Sequence, residues 1–337
     1  TTEIYTLSLH DALPILTIKL DKELSDNSLH HMSCDYFLNF SIKSKLLVST
    51  GPSVNYSQYH LSRSINLRHV ASRLRTMYVA NRKIYVPCGA GSSARLVILD
   101  LDGNVIVRLK MIGDYILEYP YQVGANKDNV FVLCDCKNAR NNRSQQCIFL
   151  IKNLHFAHAE IIGSGKGENP GQFYTWDLPN IKFDSSGNMY MSDFCQAFGR
   201  IQKFSPDGCF IKQVTNKDIG NFFVTKILFC RNNEIYVKAD TSGCGGTRIF
   251  IFDENLNLKK TCPNNFNDPD SGKMMMGSTL VEACVDDAQN MYFAYHKGLL
   301  IKYDKNFKLI CLFKLHGCHT KIQVDHDSRI YIFYHNE

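Results

Sequence analysis

The chain has 337 residues, of which 45% are hydrophobic and 21% are charged, and its formal net charge is +6. A chain of this length can bury a large core. Nowhere do eighteen consecutive apolar residues occur, which excludes a membrane-spanning helix from the visible chain. The basic and acidic residues are interspersed, so the mild positive charge permits an anionic partner without requiring one.

The first fifteen residues, TTEIYTLSLHDALPI, match residue for residue the translation of a common sequencing-library adapter. We therefore interpret residues 1–15 as foreign to the protein, and the fold is predicted from residues 16–337. They contain two acidic residues and no lysine or arginine, so residues 16–337 carry a net charge of +8. We expect the native N-terminus to be missing, which leaves a signal peptide, a lipid anchor and the cellular compartment undetermined.

Residues 163–214 contain a Gly-rich loop followed by four strand-like segments. Residues 181–193 alternate apolar and polar side chains, turn at Ser-Ser-Gly-Asn and return as a second strand. Residues 200–214 repeat this arrangement, with Pro-Asp-Gly at the turn and an outer strand that begins near Cys209. These patterns predict a four-stranded antiparallel sheet.

The turn and the aromatic residue that follows it recur along the chain. The repeated aromatic positions are Tyr85, Phe131, Tyr190, Tyr236, Tyr292 and Tyr331. Self-similarity at a period of about 40–60 residues is typical of propellers and solenoids, and strands without helical stretches favour the propeller. Asp184, Asp286 and Asp325 occupy equivalent positions in the repeat, where an Asp caps the turn by accepting backbone N–H bonds.

The two ends of the chain predict closure of the ring. Leu16–Ser28 is a further copy of the second half of a blade, whereas the C-terminus supplies only a first half. Pairing of the two would complete a sixth blade and hide edge strands. The sequence therefore predicts an all-β, six-bladed propeller with four-stranded antiparallel blades, formed by residues 16–337 as one domain. Residues 30–72 are too long for a simple connector, and Phe37–Ser49 is open to interpretation as an extra outer strand or a strand pair.

Three segments, Gly163–Phe173, Ile181–Asp193 and Arg200–Phe210, resemble an NHL repeat, the unit of a mostly six-bladed propeller family. The resemblance implies the same architecture for the whole chain. It also implies one kind of partner, since some NHL propellers bind single-stranded RNA on a basic face.

Thirteen cysteines leave the redox compartment undecided. Cys230 and Cys284 lie on predicted inner strands and Cys209 and Cys311 on predicted outer strands, where a thiol packs as a small buried hydrophobe. A disulfide within the 134–147 hairpin, for example between Cys136 and Cys147, is the alternative.

Propellers usually bind ligands at the end of the central channel, near the start of each innermost strand. Aligning the repeats places six residues there: Thr76, Gln122, Asn180, Lys226, Glu282 and Lys321. A catalytic divalent metal requires several His or carboxylate ligands, and this ring has one carboxylate. We therefore predict no catalytic residue, no metal site and no cofactor, and a polar, partly cationic mouth for an anionic or peptide ligand.

The function that these observations favour is a non-catalytic scaffold that binds a protein, peptide or glycan. Two alternatives stay open. The first is single-stranded RNA binding, with candidate cations Arg200, Lys203, Lys226, Arg248, Lys302 and Lys321. The second is a metal-dependent propeller hydrolase or lyase, which needs metal ligands converging at the channel mouth.

Overall fold

The computed structural model describes residues 3–8, 60–66 and 76–335, except 127–128, 164, 174–179, 196–197, 221, 242–246, 264–279, 296–298, 307, 315–317 and 325–329. The described residues form β-strands joined by turns, with two short 3-10 helices at Gly91–Ser93 and Asn216–Ile219. No helix among them is long and apolar enough to cross a membrane.

Five antiparallel sheets, called blades 1 to 5, are each built from consecutive strands. They follow β1 (Glu3–Ser8) and β2 (His60–Asn66). Blade 1 contains β3 (Tyr78–Ala80), β4 (Lys83–Cys88), β5 (Arg95–Asp100) and β6 (Val105–Leu109). Blade 2 contains β7 (Met111–Ile112), β8 (Tyr115–Ala125), β9 (Asn129–Asn138), β10 (Ser144–Lys152) and β11 (Ala159–Ile162).

The remaining three blades are four-stranded. Blade 3 contains β12 (Asn180–Phe183), β13 (Met189–Cys195), β14 (Phe198–Phe204) and β15 (Phe210–Thr215). Blade 4 contains β16 (Phe222–Arg231), β17 (Glu234–Thr241), β18 (Thr247–Asp253) and β19 (Leu258–Pro263). Blade 5 contains β20 (Leu280–Val285), β21 (Met291–Tyr295), β22 (Leu299–Tyr303) and β23 (Leu309–Lys314). The predicted four-stranded antiparallel blades are confirmed, with one additional two-residue strand in blade 2.

A further sheet, the closing sheet, joins strands from both ends of the chain. It contains β24 (Cys318–Val324) and β25 (Ile330–His335), and its strand order is β2-β1-β25-β24. Tyr5 pairs with Ile332 and Leu7 with Ile330. The strand against β25 thus comes from residues 1–15, whereas the predicted Leu16–Ser28 copy lies outside the described residues, as does Phe37–Ser49.

Apolar side chains fill the space between every pair of neighbouring blades. Separate clusters join blade 1 to blade 2, blade 2 to blade 3, blade 3 to blade 4, and blade 4 to blade 5. One more cluster joins blade 5, the closing sheet and blade 1. The six repeated aromatic positions predicted from the sequence are all buried. These contacts run all the way round and define a propeller.

The repeated Asp residues hold the turns after the first strands. Asp184 Oδ1 accepts hydrogen bonds from the backbone N–H groups of Ser186 and Asn188 at 3.0 and 2.9 Å. Its second oxygen accepts a bond from the Tyr190 hydroxyl at 3.0 Å. Asp286 in blade 5 likewise accepts bonds from the backbone N–H of Asn290 and the Tyr292 hydroxyl, so the predicted capping role is confirmed for these two residues. Asp325 lies outside the described residues.

A buried arginine fixes the Gly-rich loop that precedes blade 3. Arg200 is fully buried and forms a two-pronged ion pair with Asp193, with Nε–Oδ1 and Nη2–Oδ2 distances of 2.8 and 2.9 Å. The remaining guanidinium protons go to loop carbonyls, including that of Gly167 at 2.8 Å. Gly163 in the same loop has φ +83, and a Cβ there would lie 2.7 Å from the Phe173 ring, so only glycine fits without a shift.

The position of one cysteine differs from the prediction. Cys209 was predicted to be buried on an outer strand, but it is exposed in the turn before β15. The outer strand begins one residue later because the backbone N–H of Cys209 bonds the Ser205 hydroxyl and closes the turn. Cys136 and Cys147 are free thiols with sulfurs 3.0 Å apart. The side chain of Cys311 is not among those described.

Arg200→Met tests whether the buried ion pair stabilises the fold. We expect the free energy of unfolding, measured by denaturant titration, to fall by about 3–5 kcal/mol because the Asp193 carboxylate is left buried without its partner. The matched control is Arg248→Met, since Arg248 is exposed, and its cost should stay below about 1 kcal/mol. Equal losses in the two variants would contradict the role assigned to Arg200.

Deletion of residues 1–15 tests which segment closes the ring. Leu16–Ser28 begins with the same alternation of apolar and polar residues as β1, so it can provide pairing for β25. We expect the melting temperature, measured by calorimetry, to be unchanged by this deletion and to fall by several degrees when residues 16–29 are removed as well. A comparable fall on removing residues 1–15 alone would identify β1 as the native closing strand.

Candidate functional site

One strand of each blade and one of the closing sheet contact one another around the ring axis, and we call them the inner strands: β3, β8, β12, β16, β20 and β24. All six residues of the predicted mouth lie on or beside these strands. Thr76 precedes β3, Gln122 lies in β8, Asn180 begins β12, Lys226 lies in β16, Glu282 lies in β20 and Lys321 lies in β24. Five of the six residues thus lie in strands that adjoin at the axis, and Thr76 lies two residues before such a strand.

Most of these residues are buried. Thr76, Gln122, Asn180 and Glu282 are each less than 9% exposed. The Thr76 hydroxyl makes a local bond of 3.4 Å to the carbonyl of Met77, which ties it to its own strand. Lys321 pairs through its backbone with Phe333, and its side chain is not among those described.

Glu282 is the central charge of the site. Its carboxylate is fully buried, and Oε2 lies 2.8 Å from the Lys226 ammonium while Oε1 lies 3.5 Å from the Lys182 ammonium. Lys226 also donates a bond of 3.0 Å to the carbonyl of Val281. One carboxylate from blade 5 thus joins cations from blades 3 and 4, because β12, β16 and β20 adjoin at the axis.

The electrostatic surroundings keep Lys182 charged. Burial by itself lowers the pKa of this ammonium, but the charge of the Glu282 carboxylate opposes burial, and the pKa is raised. A raised pKa means that Lys182 is cationic at neutral pH. The positive charge beside Glu282 is therefore a stable feature of the site.

A third lysine extends the cationic surface. Lys238 is the cross-strand partner of Lys226, and its ammonium lies 3.7 Å from Asp240 Oδ2. Burial and the nearby Lys226 lower the pKa of Lys238, while Asp240 opposes the shift. Among the described side chains, the site therefore combines three ammonium groups with two carboxylates.

Two buried oxygen atoms beside these charges have no partner among the residues that the structure describes. Asn180 and Ser192 are cross-strand neighbours in blade 3, and each is 2% exposed. Within the described part of the chain, neither Asn180 Oδ1 nor Ser192 Oγ has a hydrogen-bond partner. Because β-strand side chains alternate, Asn180 lies on the same face of β12 as Lys182. Buried polar atoms are usually satisfied by protein, water or ligand.

Lys182 and Lys238 were missed by the sequence analysis. The alignment counted one residue per blade, whereas the site uses additional residues that face the axis. Lys182 lies two positions after Asn180, and Lys238 lies opposite Lys226 once the strands pair. The alternation of β12 could have identified Lys182, but Lys238 required the register between β16 and β17.

Half of the six basic residues considered as RNA-binding candidates are buried in the structure. Arg200, Lys203 and Lys302 are each less than 9% exposed. Arg200 is committed to Asp193, and Lys203 donates a bond of 2.7 Å to the carbonyl of Glu254. The repeated aromatics are buried as well, so neither group is accessible for stacking or phosphate contacts. These three residues were wrong as RNA-binding candidates.

Metal-binding side chains gather elsewhere. Among the described residues, the compact group of three or more His, Cys, Asp or Glu ligand atoms is formed by Cys134, Cys136 and Cys147. These cysteines belong to blade 2, not to the channel. The described channel residues therefore do not present the converging ligands that the hydrolase or lyase alternative requires.

Two thiols on inner strands, Cys230 and Cys284, predict a loss of stability at high pH. Burial raises the pKa of both Cys230 and Cys284 above its ordinary value. Each thiol can ionise in the unfolded state, where its pKa is about 8.5. Below that pH the free energy of unfolding is unaffected, and above it each thiol lowers the free energy of unfolding by about 1.4 kcal/mol per pH unit. We expect denaturant titrations between pH 8 and 10 to show that the free energy of unfolding falls less steeply with pH in the double variant Cys230→Ala, Cys284→Ala than in the wild-type protein. The exposed control Cys209→Ala should keep the wild-type slope, and an unchanged slope in the double variant would contradict this account.

Comparisons with known proteins find similar folds. No family model matches the chain and no curated protein matches it, whereas solved structures do. The chain is similar to the Dos1 propeller, with 10% identity and a TM-score of 0.45 over 79% of this chain and 69% of that one. It is similar to YCF48 bound to D1 peptide, with 9% identity and a TM-score of 0.47 over 84% and 100%. It is also similar to BamB from Moraxella catarrhalis, with 7% identity and a TM-score of 0.39 over 77% and 96%.

Proposed function

We propose that the protein is a non-catalytic scaffold that binds an acidic peptide segment of a protein partner. The peptide binds at the end of the channel where Lys182, Lys226 and Lys238 lie. The observation that carries this proposal is the fully buried Glu282 held between Lys182 and Lys226. This arrangement keeps two ammonium groups in place at the axis. A third, on Lys238, lies next to them.

Charge favours an acidic ligand over a neutral glycan. Three ammonium groups face two carboxylates among the described side chains, so the site has an excess of positive charge. Partial burial strengthens the attraction for a carboxylate because the local dielectric constant is below that of water. Ammonium groups that are already fixed by Glu282 also lose little side-chain entropy on binding.

The oxygens of Asn180 and Ser192, which have no partner within the described ranges, favour a peptide in particular. An amide oxygen accepts an N–H bond, and a serine hydroxyl both donates and accepts. A peptide backbone offers N–H and C=O groups at regular intervals. It can therefore satisfy both oxygens while an acidic side chain reaches the lysines.

We further propose that the ring has six blades of NHL type, formed by residues 16–337 as one domain. Blades 1 to 5 and the closing sheet support six, because the apolar clusters link blade 5 to blade 1 through β24 and β25. Gln323 in β24 also bonds both backbone groups of Val79 in β3, at 2.7 and 2.6 Å. The Arg200-bound Gly-rich loop of blade 3 supports the NHL resemblance.

Lys238→Gln tests the proposed ligand class. Lys238 does not bind Glu282, so its replacement removes a ligand-facing charge without leaving the buried carboxylate unpaired. We expect the Kd for a peptide rich in Asp and Glu, measured by fluorescence anisotropy, to rise roughly tenfold, equivalent to about 1.4 kcal/mol. Added salt should also weaken the wild-type complex.

The matched control is Lys260→Gln, since Lys260 is exposed on β19 of the same blade. This variant should leave the Kd for the acidic peptide unchanged. A Lys-rich peptide is the ligand control, and it should bind neither the wild-type protein nor the variant. Equal weakening by the two variants would contradict a channel site. Tighter binding of a single-stranded RNA, unaffected by Lys238→Gln, would support the RNA alternative instead.

A further inference from the structure

Three cysteine side chains meet inside blade 2, away from the channel. Cys134 and Cys136 lie on one face of β9, and Cys147 lies on β10 directly opposite Cys134. We call them the thiol trio. None is more than 1% exposed. A single buried cysteine acts as a small hydrophobe, but three thiols with their sulfur atoms together form a chemical group.

The sulfur atoms surround a common centre. The Cys136 and Cys147 sulfurs are 3.0 Å apart, those of Cys134 and Cys147 are 3.9 Å apart, and all three lie within 4.8 Å of one another. A triangle of these dimensions has a point about 2.4 Å or less from each corner, which matches a metal–thiolate bond of about 2.3 Å. An ion fits there without displacement of the strands.

The surroundings select the type of ion. The trio packs in an apolar cluster with Ile112, Leu117 and Val132. Structural zinc almost always takes four ligands, and iron–sulfur clusters use four cysteines. Monovalent copper prefers soft thiolates and is satisfied by three. We propose that the thiol trio is a binding site for one Cu(I) ion, independent of the channel.

A disulfide is the competing chemistry for the same residues. A disulfide has an S–S length of about 2.05 Å and joins only two sulfurs. The closest pair here is 3.0 Å apart, and a disulfide would leave the third thiol without a role. The convergence of all three sulfurs is therefore better explained by an ion.

The experiment uses the full chain carrying Cys209→Ser, which removes an exposed thiol. Protein is expressed with supplementary copper, purified anaerobically with a reductant and measured by native mass spectrometry. We expect Cys136→Ser and Cys147→Ala each to retain one copper fewer than the parent. Cys88→Ala removes a buried thiol from blade 1 and should retain the parental number. X-ray absorption at the copper edge is compared between the parent and the trio variants. The copper ion that only the parent retains should have only sulfur neighbours, at about 2.3 Å.

Circular dichroism and thermal melting establish whether each variant is folded. Two positions of the trio are replaced separately, so that the test still stands if one of the variants does not fold. Equal copper content in folded trio variants and in Cys88→Ala would overturn the proposal. So would a Cys136–Cys147 disulfide in the parent, detected as a mass lower by two hydrogens and by peptide mapping. Retention of Zn²⁺ but not copper by the parent would also overturn it.

Discussion

Apolar surface on both faces of every blade is the constraint on which this structure depends. A sheet with two apolar faces is stable only when both are covered, and here each cover is a neighbouring blade. The last cluster joins blade 5 and blade 1 through the closing sheet. The ring must therefore close, and its closure brings the inner strands together at the axis.

Closure at the axis explains the electrostatics of the channel. The inner strands bury most of their polar side chains, and a fully buried charge must find a partner there. Glu282 does so with Lys226 and Lys182 from two other blades. The resulting charges are held by the scaffold, as a binding site requires. The ligand-binding role proposed for this site follows from the fold's geometry and its charges together.

Local patterns in the sequence predicted the elements well, because strands and turns depend on near neighbours. The alternation in blade 3, the capping Asp184 and the buried aromatic Tyr190 were all found in this way. Contacts between distant strands were less accessible. Lys238 joined the site through its pairing with Lys226, and Arg200 proved to be a structural cation because Asp193 lies opposite it in the register. Exposure of Cys209 depended on where one turn ends.

The central claim is that an acidic peptide binds at the channel end formed by blades 3, 4 and 5. Hydrogen-exchange mass spectrometry with and without a peptide rich in Asp and Glu tests it most directly, since bound segments exchange more slowly. The account predicts slower exchange in β12, β16 and β17, with no change in the outer strands β15 and β19. Protection confined to the outer strands, or no protection at saturating peptide, would contradict it.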